Sequence, residues 1–161
     1  MKAFTPDFSL DVEAIEGHCP AGEKHAADAI ARNSIPVFSC EGPCIRGEIA
    51  RLAANLVARE GENLARACHA ETFLVPHSGM ARWVRESDKC IVIDGCFLKC
   101  HGRVLNKLIG KEKVFHIDAL PLHKKYSKIF LMDDVPDAER NQTARLVADR
   151  ILDMLEQEAI A

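Results

Sequence analysis

One short run of residues constrains the fold more than any other part of the chain. Residues 89–94 read Lys-Cys-Ile-Val-Ile-Asp, a continuous apolar stretch that ends at an aspartate. Such a run is typical of a parallel strand that helices cover on both faces. Apolar segments at 35–38, 64–67 and 114–117 predict further strands, and segments with helical spacing separate them. The alternation predicts a three-layer α/β fold, with a mostly parallel sheet flanked by helices on both faces.

The length and composition predict one domain. The chain has 161 residues, and 48% of them are hydrophobic, which is enough for a core of its own. We expect a helical N-terminal extension at 1–34, a central core at 35–120 and a long C-terminal helix at 138–158. Three side chains of that last helix are expected to face the core: Leu146, Ile151 and Leu155.

Three stretches are less regular. Asp11 to Glu16 is compatible with a short helix, and Thr72 to Gly79 contains a proline and favours a loop. The apolar residues 129–132 predict either a last short strand or a buried segment.

The charge balance argues against two classes of partner. A formal net charge of −3 gives no reason to expect nucleic acid or an anionic membrane surface. No apolar run approaches the ~20 residues that span a bilayer. The first ten residues lack the pattern of a secretory signal. We therefore expect a cytoplasmic protein.

The cysteines carry the strongest functional signal. There are seven, an odd number, and clustered thiols in a reducing compartment favour metal or redox chemistry over disulfides. Cys40, Cys68 and Cys96 each follow a predicted strand, 28 residues apart in both intervals. Cys44 and Cys100 come four residues after the first and the third of these, in the opening of a helix. Because parallel strands end at one edge of a sheet, we expect the five thiols to lie together.

Zinc is the metal that this set predicts first. It takes four thiolate or imidazole ligands in a tetrahedron, and His101 beside Cys100 offers a reserve ligand. Helix N-termini also favour thiolate over thiol. Iron–sulfur and copper(I) sites use the same soft ligands, so the residues leave the metal open.

The tripeptide Asp94-Gly95-Cys96 brings in a known family. With Cys40 before a glycine-containing helix opening, with Cys68, and with Cys100 four residues after Cys96, the chain resembles the DGC-domain family of proposed zinc-binding proteins. The resemblance covers roughly residues 35–120, which we take as a DGC-like core.

The resemblance implies a ligand set. By position, the four chelating cysteines of the family correspond to Cys40, Cys68, Cys96 and Cys100, which leaves Cys44 as the spare. The chain departs from the family pattern at Glu41, where a small polar residue is expected. It also departs at residues 1–34, which have no counterpart, and at 69–79, which are not glycine-rich.

A different class of function fits the same loop. Cys40 to Arg46 spells C-x5-R between a strand and a helix, as in low-molecular-weight tyrosine phosphatases and thiol arsenate reductases. There the backbone N–H groups hold an oxyanion, the thiolate attacks, and an acid such as Asp133 or Asp134 protonates the leaving group. Glu41 weighs against this hypothesis because its carboxylate would repel the anion.

Two further hypotheses remain open. The clustered thiols also suit redox or sulfur-transfer chemistry, as an alternative state of one site. Asp94 either orients the Gly95–Cys96 loop or caps the helix that follows. Cys90 lies within a strand and is predicted to be core.

Overall fold

The four predicted strands form one sheet. The computed structural model describes residues 7–158. The strands lie close to their predicted positions and are β1 (Ile35–Ser39), β2 (Leu64–Arg66), β3 (Cys90–Asp94) and β4 (Val114–Asp118). All neighbouring pairs are parallel, with β1 paired to β2 and β3, and β3 paired to β4.

The strand order decides where the chain can bind a ligand. The order is β2-β1-β3-β4, so the chain moves from β1 to one side for β2 and then to the other side for β3. The connections leaving β1 and β3 therefore diverge. In open α/β sheets, a crevice forms at this switch point, beyond the carboxyl ends of the two strands.

Helices cover both faces, which confirms the three-layer α/β fold. The helices are α1 (Pro20–Ala31), α2 (Ile45–Glu60), α3 (His69–Leu74), α4 (Gly79–Glu86), α5 (Cys100–Ile109), α6 (Leu120–His123) and α7 (Asp137–Gln157). On one face, α2 and α7 pack in a core with side chains of β1, β3 and β4. On the other face, α1, α4 and α5 pack around Phe38, Val92 and Trp83.

Two features of α2 fix its position next to the end of β1. Cys44 caps its N-terminus, since the Cys44 Sγ accepts a hydrogen bond from the Gly47 N–H at 3.3 Å. Ile45 and Ile49 are fully buried on the face that meets the sheet. The helix is thereby anchored by its first two turns, next to the end of β1.

The C-terminal helix confirms two of its three predicted core residues. Ile151 and Leu155 of α7 are fully buried, whereas Leu146 is 40% exposed. The buried stripe instead runs through Ala144, Val147 and the two confirmed residues. Successive residues are rotated by about 100° around the helix axis, so Leu146 lies beside this stripe and not on it.

Three irregular stretches differ from their predictions. Residues 11–16 form no helix and are exposed. The stretch 72–79 includes the last turn of α3 as well as a loop. Residues 129–132 are neither a strand nor a buried segment. Leu131 makes one isolated antiparallel bridge, to Cys44, and is 52% exposed. Hydrogen bonds to the opening of α2 hold this segment in place. One of them runs from the Ile45 N–H to the Phe130 carbonyl, at 2.7 Å.

Within residues 7–158, no helix combines the length and the apolar character needed to cross a bilayer.

Candidate metal centre

The candidate site lies at the switch point between β1 and β3. Cys40 follows β1 directly, and its N–H donates to the Ile93 carbonyl at 2.8 Å, which ties the start of the cysteine loop to β3. Asp94 is the last residue of β3, and His101 lies in the first turn of α5. The parallel sheet thus brings residues from three separate segments to one place.

Three side chains form a group that can hold a metal ion. A ligand atom each of Cys40, Asp94 and His101 lie within 4.8 Å of one another. Sulfur, carboxylate oxygen and imidazole nitrogen are all zinc ligands. Of the residues predicted as ligands, Cys40 belongs to this group, and His101 was predicted as a reserve.

Asp94 organises the centre through hydrogen bonds. The His101 N–H donates to Asp94 Oδ1 at 3.2 Å, and the Gly102 N–H donates to Oδ2 at 3.0 Å. The Nε2 of His116 lies 2.9 Å from the same Oδ2. Burial raises the pKa of Asp94, but the hydrogen bonds from His116 and from the two N–H groups outweigh it and leave the pKa below its usual value. Of the two roles that the sequence left open for Asp94, these hydrogen bonds correspond to the second, because its carboxylate accepts N–H groups from the first turn of α5.

His116 was missed by the sequence interpretation. It occupies a central position of β4, between Phe115 and Ile117. A histidine within an otherwise apolar strand was the signal available, because such a polar side chain needs a partner when it packs against a sheet.

Two glycines allow the loops to approach closely. A Cβ on Gly95 would lie 2.4 Å from the Arg46 carbonyl oxygen, so the loop after β3 packs directly on the backbone of α2. A Cβ on Gly102 would lie 2.9 Å from Asp94 Oδ2 and 2.8 Å from His116 Cδ2. The middle residue of the Asp94-Gly95-Cys96 tripeptide is therefore required by a backbone contact.

Two of the predicted thiols lie on either side of Gly47. A Cβ built on Gly47 would lie 3.2 Å from Cys40 Sγ and 3.2 Å from Cys44 Sγ. Both sulfurs therefore lie close to the space that a side chain at residue 47 would fill. Glycine at this position leaves room for them. The helix opening brings Cys44 back to Cys40, four residues earlier.

The Cys40 thiol is held in a poorly solvated place. Burial raises the pKa of Cys40 to about 11, and the negative charges of Cys44, Asp94 and Cys100 act in the same direction, while the Gly95 N–H opposes them. Cys40 is therefore protonated at neutral pH unless a cation is close to the sulfur. A bound metal ion is such a cation, and it deprotonates a coordinating thiol.

His101 presents an unused nitrogen. Its Nδ1 is buried and has no hydrogen-bond partner within the described part of the chain. Burial lowers the pKa of His101, which favours the neutral imidazole that binds metals. A buried nitrogen without a partner is costly, and a metal ion at this position would satisfy it.

A second imidazole, that of His69, packs against the His101 ring. The rings of His69 and His101 meet edge to face, with centroids 4.5 Å apart. The Ser39 N–H donates to His69 Nε2 at 3.2 Å, so the proton of this ring is on Nδ1. Burial lowers the pKa of His69 to about 4.

The other predicted ligands lie along the same sheet edge. Cys68 follows β2, caps α3 without a side-chain hydrogen bond and is exposed. Cys96 is half-buried in the loop after β3, and Cys100 is the exposed first residue of α5, next to His101. Cys90 is fully buried in β3, as predicted.

The geometry does not favour the C-x5-R hypothesis. In the loop after Cys40, Pro43 has no N–H, the Ile45 N–H bonds to Phe130 and the Gly47 N–H bonds to Cys44. These groups are not free to hold an oxyanion. The raised pKa of Cys40 also opposes the thiolate that such enzymes need.

Comparison with known proteins gives one match. The family model described as DGC domain matches residues 36–147, which is well over half of the chain and includes Cys40, Asp94 and His101. Neither the curated proteins nor the solved structures give a match. The match agrees with the resemblance found around the Asp94-Gly95-Cys96 tripeptide, and the chain belongs to the DGC domain family.

Proposed function

We propose that this protein binds one zinc ion at the switch point of its sheet, with Cys40 and His101 as two of the ligands. The observation that carries the proposal is the convergence of ligand atoms from Cys40, Asp94 and His101 within 4.8 Å. Zinc suits a site that combines thiolate and imidazole donors.

Two more thiols would complete a tetrahedron. Cys44 lies beside Cys40 at the same glycine, and Cys100 is close enough for its charge to act on Cys40. Asp94 already accepts hydrogen bonds at both carboxylate oxygens, so we assign it the role of orienting His101. Cys68 and Cys96, which the family resemblance implies as ligands, are the competing candidates.

The residues present fit the ion. His101 has a buried nitrogen with no other partner, and Cys40 has a sulfur that is poorly solvated. A four-ligand shell that leaves no position for water favours a structural or storage role over hydrolysis. Such a site would hold the openings of α2 and α5 together across the sheet edge.

Elemental analysis of tag-free protein purified under nitrogen tests the proposal. We expect about one zinc per chain, lost in Cys40→Ser and His101→Ala. Cys19→Ser is the matched control, because Cys19 is an exposed cysteine that caps α1, far along the chain from the site. Metal-free protein with intact thiols, or zinc content that Cys40→Ser leaves unchanged, would contradict the proposal.

The ligand set can be assigned by cobalt substitution. The intensity of the thiolate-to-cobalt absorption bands rises with the number of coordinating sulfurs. If Cys44 and Cys100 are ligands, Cys44→Ser and Cys100→Ser each weaken these bands, while Cys68→Ser and Cys96→Ser do not. The reverse pattern would support the ligands that the resemblance implies.

A redox function has one observation in its favour. Cys40 Sγ and Cys44 Sγ each lie 3.2 Å from the position of a Cβ on Gly47, so a small movement of the loop could bring the two thiols together as a disulfide. Its formation would release two protons and pass two electrons to an oxidant such as hydrogen peroxide. In metal-free protein, mild peroxide should then lower the intact mass by two hydrogens, and Cys44→Ser should prevent this.

A further inference from the structure

A groove lies beside β2, at the opposite edge of the sheet from β4. Its volume is about 490 Å³, and its lining includes His25 of α1 and three arginines: Arg32, Arg59 and Arg66. None of the described residues that line it is an aspartate or a glutamate. The groove is therefore a concave surface rich in positively charged donors, and it is separate from the candidate metal centre.

The floor of the groove includes β2, an edge strand of the sheet. In the sheet as described, β2 pairs with β1 alone. The Ile35 N–H bonds to the Asn63 carbonyl and the Ala67 N–H to the Val37 carbonyl, which shows which backbone groups of β2 point towards β1. By the alternation of a parallel ladder, those of Leu64 and Arg66 point outwards. His25 Nε2 lies 2.8 Å from the Arg66 carbonyl oxygen. The outward backbone groups of Leu64, which lines the groove but is only 8% exposed, have no hydrogen-bond partner among the described residues.

Two of the three arginines are free to meet a ligand. The Arg66 guanidinium is directed to the Val37 carbonyl, Ser39 and Glu41. Arg59 is an exposed residue whose ion pair with Glu60 lies at the surface, where such a pair is weak. The Arg32 side chain makes no ion pair or hydrogen bond within residues 7–158, so the groove has charge left to neutralise.

The N-terminal segment of the same protein has the complementary pattern. Residues 7–17 contain no lysine, arginine or histidine, and Phe8, Leu10 and Val12 alternate with Ser9, Asp11 and Glu13. This period of two is that of a strand. The three apolar side chains are 82%, 77% and 52% exposed. The segment is thus an acidic strand-like sequence with unburied apolar side chains.

We propose that residues 8–13 of one copy bind in the β2 groove of a second copy as an added strand, which makes a symmetric dimer. Within one molecule, Asp7 pairs with Lys107 of α5, and α5 joins β3 to β4. The start of the segment is therefore held at α5 of its own molecule. In the second copy, Asp11 and Glu13 would meet Arg32 and Arg59, and the backbone would pair with the edge of β2.

Charge reversal in full-length protein tests this proposal. One variant carries Arg32→Glu with Arg59→Glu, and the other carries Asp11→Lys with Glu13→Lys. All four side chains are exposed, and none is in the candidate metal centre. Sedimentation velocity over a range of concentrations should show dimers of the unchanged protein, weakened as sodium chloride rises from about 50 to about 500 mM.

Each variant alone should be monomeric, with dimerisation at least about tenfold weaker, because like charges then face each other. An equimolar mixture of the two should form a heterodimer, since every segment again meets a groove of opposite charge. Lys24→Glu, a reversal on α1 outside the groove, should change nothing.

Two results of the sedimentation experiments would overturn the proposal. One is an unchanged protein that stays monomeric at every concentration. The other is a mixture that forms no heterodimer.

A peptide-binding measurement separates strand pairing from charge alone. A peptide of residues 7–17 should bind the Asp11→Lys, Glu13→Lys variant, and a scrambled peptide of the same composition should not. Equal binding of both peptides would also overturn it.

Discussion

His116, in the middle of β4, reaches Asp94 at the end of β3, with His116 Nε2 2.9 Å from Asp94 Oδ2. The same carboxylate accepts the N–H groups of His101 and Gly102. One buried side chain therefore links two neighbouring strands to the first turn of α5. The orientation of His101, and with it the geometry of the candidate metal centre, depends on this contact.

Removing the Asp94 carboxylate should cost both stability and metal. Asp94→Ala leaves two N–H groups and one imidazole without their acceptor in a buried place, and we expect a loss of about 2 kcal/mol in the free energy of unfolding. Zinc affinity should fall as well, because His101 is no longer held. Asp94→Asn keeps one acceptor oxygen and should lose less. Urea denaturation of the metal-free proteins measures the first effect, and an unchanged midpoint in Asp94→Ala would contradict it.

The glycine of the tripeptide should not tolerate even a methyl group. In Gly95→Ala the new Cβ would lie 2.4 Å from the Arg46 carbonyl oxygen, a backbone atom that cannot move without shifting α2. We expect a loss of about 2 kcal/mol in the free energy of unfolding. Gly42→Ala is the matched control, because no described atom lies within 4 Å of its Cβ and its φ is not positive. Equal stability of the two variants in thermal denaturation would refute the close contact.

His123 should make the fold sensitive to acid. Burial lowers the pKa of His123 to about 4, with Lys125 and Arg46 adding to the effect. An unfolded chain takes up this proton near pH 6.5, so between pH 6.5 and 4 the unfolded state binds more protons than the folded state. The stability that the neutral ring contributes is present above pH 6.5 and is lost as the pH falls through this window.

The test compares the unchanged protein with His123→Asn. Asparagine keeps an acceptor for the Lys125 N–H, which bonds to His123 Nδ1 at 3.0 Å, but it does not titrate. With both proteins free of metal, the difference in the free energy of unfolding should shift in favour of the variant from pH 7 to pH 5. A difference that stays constant over this range would show that His123 titrates normally.

Removal of the metal should destabilise the fold only when the site is intact. If the ion joins the openings of α2 and α5, an excess of chelator should lower the thermal midpoint of the unchanged protein. Cys40→Ser should show the lower midpoint from the start and respond little to the chelator. A large effect of the chelator on Cys40→Ser would place the metal elsewhere in the chain.

The architecture follows from local patterns, because the apolar run at residues 89–94 and its counterparts are what a parallel sheet requires. It also placed Cys40, Cys68 and Cys96 at one edge, since each follows a strand. Which side chains meet there depends on contacts between residues far apart in the chain. His69 bonds to Ser39, 30 residues away, and Asp94 reaches His116, 22 residues away.

Such contacts depend on the order of the strands and on how closely backbones approach at Gly47 and Gly95, and periodicity carries neither kind of information. The same holds for Leu146, whose side of α7 was decided by how that helix is rotated against α2.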